Sequence, residues 1–221
     1  MSLSVMQFIE ENKIVAICRK IYGENLLRLA EALEAGGVKL VEVTFDQGDP
    51  QCQEKTFEAI ASLVRVFSGS LKIGAGTVLN EAQVHAACDA GAEYIISPNT
   101  NVTVIQKSKA MNLVSIPGAF TPSEILTAHE NGADIVKVFP VNTLGLDYIK
   151  NIKGPINHVK LMATAGVTPE NLGDYLKAGF CGAGISGYLS SKKLIDAGQW
   201  NALTQHAAEL MSIVRQFNEV G

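Results

Sequence analysis

Several functional classes are excluded by what this sequence lacks. Its 221 residues contain no apolar run near the roughly 18 to 20 residues needed to span a bilayer, and the amino terminus lacks the basic-then-apolar order of a signal peptide. The 18 Lys and Arg residues are scattered rather than clustered, and 22 Asp and Glu residues outnumber them, which argues against a nucleic-acid partner. We therefore expect a cytoplasmic protein that binds neither membranes nor nucleic acids.

Metal-binding and redox motifs are also missing. The four cysteines, Cys18, Cys52, Cys88 and Cys181, are far apart and form no Cys-x-x-Cys pair, so neither a zinc knuckle nor a redox dithiol is encoded. His85 lies three residues before Cys88, but two potential ligands without a third do not make a metal site. We predict reduced thiols and no metal.

Short segments rich in β-branched residues alternate with helical segments along the whole chain. In the helical segment 25–35, for example, Leu26, Leu29 and Leu33 share one face. No linker or low-complexity stretch divides the chain. Regular alternation predicts a parallel sheet with right-handed crossovers, and eight repeats favour a single-domain (β/α)₈ TIM barrel over residues 1–221. The eight predicted strands are 14–19, 40–45, 72–77, 94–98, 113–118, 135–140, 160–166 and 182–187.

Turn residues support these boundaries. Gly36-Gly37, Gly91, Gly132 and Gly179 each follow a helical segment and precede a strand, which predicts helix-ending glycines with positive φ. Thr121-Pro122-Ser123-Glu124 predicts a capping box at a helix start. In a barrel of this class the active site forms at the carboxyl ends of the strands, so polar residues there are candidates for chemistry.

Lys137 is the most unusual of these residues, because it lies in the apolar run 135–140. Burial removes hydration from the ammonium ion, so it lowers the pKa of the amine and makes it a nucleophile. An unprotonated lysine attacks a carbonyl to form a Schiff base. The alternative is a lysine at a strand end that extends its amine to water.

Glu42 is predicted to face the same interior. Leu40, Glu42 and Thr44 share one face of their strand, while Val41 and Val43 lie on the face that packs against helices. A buried carboxylate is costly unless it is paired or functional. It is either the ion-pair partner of a buried lysine or a proton shuttle for carbinolamine dehydration and carbon–carbon bond cleavage.

Arg19 and Thr77 end the first and third strands and suggest an anionic substrate, since a guanidinium fork and a hydroxyl both donate to carboxylate or phosphate oxygens. A solvated strand end is the alternative for Arg19. Gly74-Ala75-Gly76, just before Thr77, leaves room for close approach of backbone or ligand.

The segments 163–166 and 182–187 carry small residues where many barrels bind phosphate through backbone N–H groups. Thr164, Gly166 and Ser186 are the candidates, and the alternative is tight turns with small residues filling the barrel. We expect Arg19 and Thr77 to hold a carboxylate on the side of the mouth opposite Gly166 and Ser186.

Five stretches together resemble the class I 2-keto-3-deoxy-6-phosphogluconate (KDPG) aldolases, which also act as 4-hydroxy-2-oxoglutarate (KHG) aldolases. The resemblance implies that Lys137 is the Schiff-base lysine, that Glu42 is the general acid/base and that Thr77 contacts the pyruvate carboxylate. It also implies that Pro98 and Phe139 line the pocket. The matching stretches are 37–44, 73–80, 96–98, 116–118 and 136–140.

Two departures from the family pattern concern anion binding. Several members carry arginine where this chain has Asp46, and Arg19 resembles a first-strand arginine that other members carry. Members that act on phosphorylated substrates often read Thr-Gly-Gly where this chain has Thr164-Ala165-Gly166, so phosphate specificity is left open.

The resemblance implies a carbon–carbon lyase of the Entner-Doudoroff type that needs no cofactor and forms a homotrimer. Its expected reaction cleaves KDPG or KHG to pyruvate plus glyceraldehyde 3-phosphate or glyoxylate. Two alternatives remain. One is a related aldolase for another 2-keto-3-deoxy sugar acid, non-phosphorylated or of the galactonate type. The other is a non-catalytic sugar-phosphate-binding barrel.

Overall fold

Strands and helices alternate throughout the computed structural model, which describes residues 4–143 and 145–220. The strands are β1 (Ile14–Cys18), β2 (Leu40–Thr44), β3 (Lys72–Gly76), β4 (Tyr94–Ile96), β5 (Val114–Ile116), β6 (Gly118–Ala119), β7 (Val136–Val138), β8 (Leu161–Thr164) and β9 (Phe180–Ile185). The helices are α1 (Val5–Asn12), α2 (Gly23–Ala35), α3 (Cys52–Val66), α4 (Glu81–Asp89), α5 (Val102–Ala110), α6 (Pro122–Glu130), α7 (Gly145–Lys153), α8 (Pro169–Lys177), α9 (Lys192–Asp196) and α10 (Trp200–Val220), with a 3₁₀ turn at Val141–Thr143.

The strands form one parallel sheet that curls into a nearly closed barrel. Their order is β5-β4-β3-β2-β1-β9-β8-β7-β6, and the two edges, β5 and β6, are consecutive pieces of one segment. The break between them falls at Pro117, which has no N–H to donate to a ladder. Because β5 and β6 occupy one position in the barrel, the nine strands fill eight positions around the interior. The predicted (β/α)₈ barrel is confirmed.

Alternation along the strands separates two apolar layers. Val41 and Val43 belong to the layer between sheet and helices, as predicted, whereas Leu40 packs inside the barrel with Tyr94 and Met162. Helix α1 was not predicted from the sequence, and its fully buried Ile9 joins this interior cluster. Its position shows that the end of the barrel away from the strand carboxyl ends is closed by an amino-terminal helix.

Most predicted helix boundaries are confirmed. Glu124 Oε2 accepts from Thr121 N at 2.7 Å and Thr121 Oγ1 accepts from Glu124 N at 3.3 Å, which completes the capping box. Gly37, Gly91, Gly132 and Gly179 have φ of 96°, 94°, 101° and 95°. Gly36 does not, since its φ is −79° and its N–H still bonds to Ala32 O in the last helical turn.

The described residues include neither a membrane-spanning helix nor a cluster of metal ligands. No helix is long and apolar enough to cross a membrane. Over residues 4–143 and 145–220, no three His, Cys, Asp or Glu side chains come together in a way that suits a metal ion.

Candidate active site

Lys137 lies inside the barrel on the short strand β7, with only 7% of its surface exposed. Its Nζ is 4.8 Å from the centre of the Phe139 ring, two residues further along the same face. Burial lowers the pKa of its amine, Glu42 opposes that shift, and the positive charge of Arg19 adds to it. An amine in this setting loses its proton more readily than a surface lysine.

Glu42 lies on β2 and is 2% exposed. Burial raises the pKa of its carboxyl, while the positive charges of Lys137 and Arg19 partly counteract that rise. Its Oε2 is buried without a hydrogen-bond partner. Among the ion pairs of the described residues none joins Glu42 to Lys137, so the two groups influence each other's charge without a direct contact.

Two glycines of β3 make room for this carboxylate and for an aromatic ring. A Cβ built on Gly76 would lie 1.6 Å from Glu42 Oε1, and one on Gly74 would lie 2.1 Å from Cε2 of Tyr94. The Tyr94 hydroxyl in turn donates to Val41 O at 2.8 Å. The space at Gly74-Ala75-Gly76 was predicted to admit backbone or ligand, and the structure corrects this, because the side chains of Glu42 and Tyr94 occupy it.

A cavity of about 570 Å³ opens at the carboxyl ends of β1, β8 and β9. It contains several predicted site residues, namely Arg19, Phe139, Thr164, Gly166 and Ser186. The expectation that Arg19 lies opposite Gly166 and Ser186 is wrong, because closing the barrel pairs β1 with β9. The first strand thus lies beside the last one, and the guanidinium shares a cavity with the predicted phosphate segments.

Thr77 directly follows β3 and does not line that cavity, and its backbone is left-handed with φ of 57°. Such a conformation is rare for a β-branched residue and costs about 1 to 3 kcal/mol. Pro98 follows β4 and lies against β6, since a Cβ built on Gly118 would be 2.4 Å from Pro98 O. Gly118 pairs with Lys137 in the sheet, which places Pro98 near the buried amine.

The turn after β8 also has unusual backbone. Ala165 and Gly166 both have positive φ, 79° and 73°. Glycine adopts this region freely and alanine does not, which gives a physical reason for glycine at position 165 in related sequences. Next to them, Thr164 Oγ1 is buried without a hydrogen-bond partner, and a Cβ on Gly184 would lie 3.0 Å from it.

Two features of the mouth were missed by the sequence analysis. Tyr188 lines the cavity, stacks on His206 with ring centres 4.1 Å apart, and donates its hydroxyl to Glu209 Oε2. The pKa of Tyr188 is raised to about 12, mainly by burial and secondly by this hydrogen bond. Asp46 pairs with Lys20 at 3.0 Å. Neither contact has a signal in residue spacing.

Comparisons with known proteins agree with this geometry. The family described as KDPG and KHG aldolase matches residues 5–206. The 2-dehydro-3-deoxy-6-phosphogalactonate aldolase of Escherichia coli K12 is 32% identical over 215 residues, covering 97% of this chain and 98% of that protein. A solved structure of Legionella pneumophila KDPG aldolase, with pyruvate captured as a covalent carbinolamine, has a TM-score of 0.82 at 27% identity, covering 93% of this chain and 97% of that one.

A designed protein cage provides a further match. It was made by fusing symmetric oligomeric domains, and its chain aligns with a TM-score of 0.83 at 30% identity, covering 94% of this chain and 74% of its own. The family match spans nearly the whole barrel, including every strand that contributes to the site. The chain therefore belongs to the KDPG and KHG aldolase family and is an aldolase, a carbon–carbon lyase.

Proposed function

We propose that this aldolase works by the class I mechanism, with Lys137 as the Schiff-base residue and Glu42 as the general acid/base. The observation that carries the proposal is the pairing of a buried amine of lowered pKa with a buried carboxyl of raised pKa, held apart without an ion pair. Each shift favours the neutral form, as nucleophilic attack and proton donation require.

The reaction follows from these two groups. The Lys137 amine adds to C2 of a 2-keto acid, and Glu42 protonates the carbinolamine hydroxyl so that water leaves and an iminium forms. Glu42 then removes the proton of the C4 hydroxyl, the C3–C4 bond breaks, and its electron pair moves into the iminium to give an enamine plus a free aldehyde. Protonation of the enamine at C3 and hydrolysis of the iminium release pyruvate and regenerate the amine.

The proposed substrate is KDPG, with KHG as the shorter acid that leaves glyoxylate instead of glyceraldehyde 3-phosphate. Thr77 is proposed to hold the carboxylate, and Pro98 and Phe139 to pack against the pyruvate portion. The cavity of Arg19, Gly166 and Ser186 suits the phosphate, because it combines a cation, a hydroxyl and a turn of small residues. Thr164 offers an unpartnered hydroxyl between the two ends.

A galactonate-type substrate is the second candidate. It is favoured by the Escherichia coli relative, which is named for 2-dehydro-3-deoxy-6-phosphogalactonate. The two substrates differ only in the configuration at C4, so kcat/KM measured for both under the same conditions decides between them. A non-phosphorylated analogue in the same panel tests whether the Arg19 cavity binds phosphate.

We also propose that the enzyme acts in the cytoplasm as a homotrimer without a metal or organic cofactor. The cage built from symmetric oligomeric domains supports an oligomer. Sedimentation equilibrium should give three times the chain mass, and turnover should persist in the presence of a chelator, since the iminium serves as the electron sink. A monomer, or activity lost with chelator and restored with metal, would contradict this part.

Trapping the covalent intermediate tests the central claim. Incubation with pyruvate and borohydride should add one reduced pyruvate to the peptide that contains Lys137. Lys137→Met should abolish the adduct, whereas Lys150→Met should keep it, because Lys150 is 65% exposed on α7 and lies outside the barrel. An adduct on another lysine, or none on the parent enzyme, would refute the Schiff-base assignment.

A further inference from the structure

The strained backbone of Thr77 interrupts the regular alternation of side chains at the end of β3. Ile73 and Ala75 of β3 belong to the layer between sheet and helices, while Gly74 and Gly76 face the interior. Simple alternation would therefore send the side chain of Thr77 toward the helices. The left-handed φ of 57° interrupts that alternation. The proposed contact between the Thr77 hydroxyl and the substrate carboxylate therefore depends on this conformation.

Two glutamine side chains form a relay that spans this turn. Gln47 Nε2, from the loop after β2, donates to Thr77 O at 2.7 Å. Gln83 Nε2, from α4, donates to Gln47 Oε1 at 3.0 Å, and Gln83 Oε1 accepts from Leu79 N at 2.7 Å. The relay begins at the N–H of Leu79 and ends at the carbonyl of Thr77, so it closes a ring over these three consecutive residues.

The orientation of both amides in this ring is determined by the backbone. Leu79 offers an N–H, so the oxygen of Gln83 must face it and its NH₂ must face Gln47. The oxygen of Gln47 is then the acceptor, which leaves its NH₂ for the carbonyl of Thr77. Gln83 is only 5% exposed and is fixed further by its backbone N–H, which donates to Asn80 Oδ1 at 3.0 Å. The buried glutamine therefore braces the exposed one.

We infer that Gln47, braced by Gln83, is a positioning residue that holds Thr77 in its left-handed conformation and thereby sets the affinity for the carboxylate of the 2-keto acid. This inference rests on the proposed contact between Thr77 and that carboxylate. Gln47 itself does not touch the reacting atoms. Its loss should weaken substrate binding and leave the chemical steps at Lys137 and Glu42 unchanged.

A substitution series with pyruvate trapping tests this role. Gln47→Ala should raise the pyruvate concentration for half-maximal trapping by about 5-fold, as expected for one lost hydrogen bond, with the maximal trapping rate little changed. Gln51→Ala is the matched control, because Gln51 lies in the same loop and its side chain makes no hydrogen bond within the described residues. Equal effects of the two substitutions would overturn the inference.

A double-mutant cycle shows whether Gln47 acts through Thr77. In a Thr77→Ala background the hydroxyl is already absent, so adding Gln47→Ala should have little further effect on half-saturation. The same 5-fold increase in both backgrounds would mean that Gln47 acts independently of Thr77, and the inference would be wrong. Melting temperatures of all variants separate a positioning effect from a loss of folding.

A crystal structure of Gln47→Ala separates this inference from the proposed function. Thr77 should leave the left-handed region or lose its order, and this outcome requires no substrate. If the parent enzyme forms no pyruvate adduct, the proposed function fails while the holding of Thr77 is still decided by this structure. An unchanged φ and side-chain position for Thr77 would overturn the inference whatever the enzyme's activity.

Discussion

Replacing Glu42 with glutamine separates catalysis from structural pairing. The substitution keeps the size of the side chain and removes its ability to ionise and transfer a proton, so turnover should fall by about 10²- to 10⁴-fold, or about 2.7 to 5.4 kcal/mol of transition-state stabilisation. The free energy of unfolding should change by no more than about 1 kcal/mol. The reason is that Glu42 Oε2 has no hydrogen bond to lose and the carboxylate is in no ion pair with Lys137.

A purely structural carboxylate would behave differently. Removing one partner of a buried ion pair costs about 3 to 5 kcal/mol. For a domain of this size each kcal/mol corresponds to about 2 to 4 °C, so the melting temperature would fall by about 6 to 20 °C. Calorimetry and a steady-state assay on the same preparation distinguish the two cases. Near-normal turnover in a strongly destabilised Glu42→Gln protein would refute the catalytic role.

The same variant should shift the pH dependence of pyruvate trapping. The Glu42 carboxylate raises the pKa of Lys137, so removing it lowers that pKa further and moves the rise in trapping rate to lower pH. Arg19→Gln is the opposite control, because the positive charge of Arg19 lowers the pKa of Lys137. Profiles at saturating pyruvate should shift in opposite directions. A shift of both profiles in one direction would contradict the electrostatic argument.

Stability should also depend on pH through Glu42. In the folded protein the pKa of the Glu42 carboxyl is raised above the ordinary value of 4.5. The contribution of this carboxyl to the free energy of unfolding is therefore fully present below pH 4.5, and it is lost as the pH rises through the pKa of the folded state. Glu42→Gln has no such titration. The free energy of unfolding of the parent, relative to that of the variant, should therefore decline as pH increases above 4.5. A difference that stays constant with pH would show that the carboxyl is not perturbed.

Three further substitutions test the geometry of the site. Ala165→Gly should stabilise the protein by about 1 kcal/mol, because glycine adopts the positive φ at this position without strain. It should also raise kcat/KM for phosphorylated relative to non-phosphorylated substrate. An unchanged melting temperature together with an unchanged ratio of the two kcat/KM values would contradict this. Gly76→Ala should lower turnover at least about 100-fold, because the new methyl group would lie 1.6 Å from Glu42 Oε1; a fully active variant would refute that contact. Ser186→Ala should leave pyruvate trapping intact and weaken only phosphorylated substrates, by about 5-fold; equal losses for both substrate types would exclude a phosphate role.

Side-chain alternation explains why the interior position of Glu42, one of the two proposed catalytic residues, was predictable from sequence. Leu40 and Glu42 had to share a face because strand residues alternate. Lys137 was assigned to the interior by a separate argument, because Ile135 and the other residues around it are apolar. Both apolar neighbours indeed lie in the interior cluster. The predicted strand 113–118 corresponds to β5 and β6 together. Its interruption at Pro117 could be recognised only from the hydrogen bonds between strands.

Positions that depend on closure of the barrel were not predictable in the same way. Arg19 and Ser186 are 167 positions apart in the numbering, and only the pairing of β1 with β9 brings them to one cavity. Positive φ at Thr77 and Ala165 also has no sequence signal, since non-glycine residues rarely adopt it. In each case the conformation is imposed by surrounding structure, and local preference argues against it.

Two buried polar groups without protein partners lie on residues of the proposed site. Four buried side-chain atoms in the described part of the chain have no hydrogen bond, and two of them belong to proposed site residues, namely Glu42 Oε2 and Thr164 Oγ1. Leaving such atoms unpaired destabilises the folded state by about 1 to 3 kcal/mol each, and the strained turns at Thr77 and Ala165 add to this. A bound keto acid offers hydroxyl and carboxylate groups for these positions. Substrate should therefore raise the melting temperature of the parent more than that of a variant in which Thr164 is replaced by valine, which has no hydroxyl to satisfy.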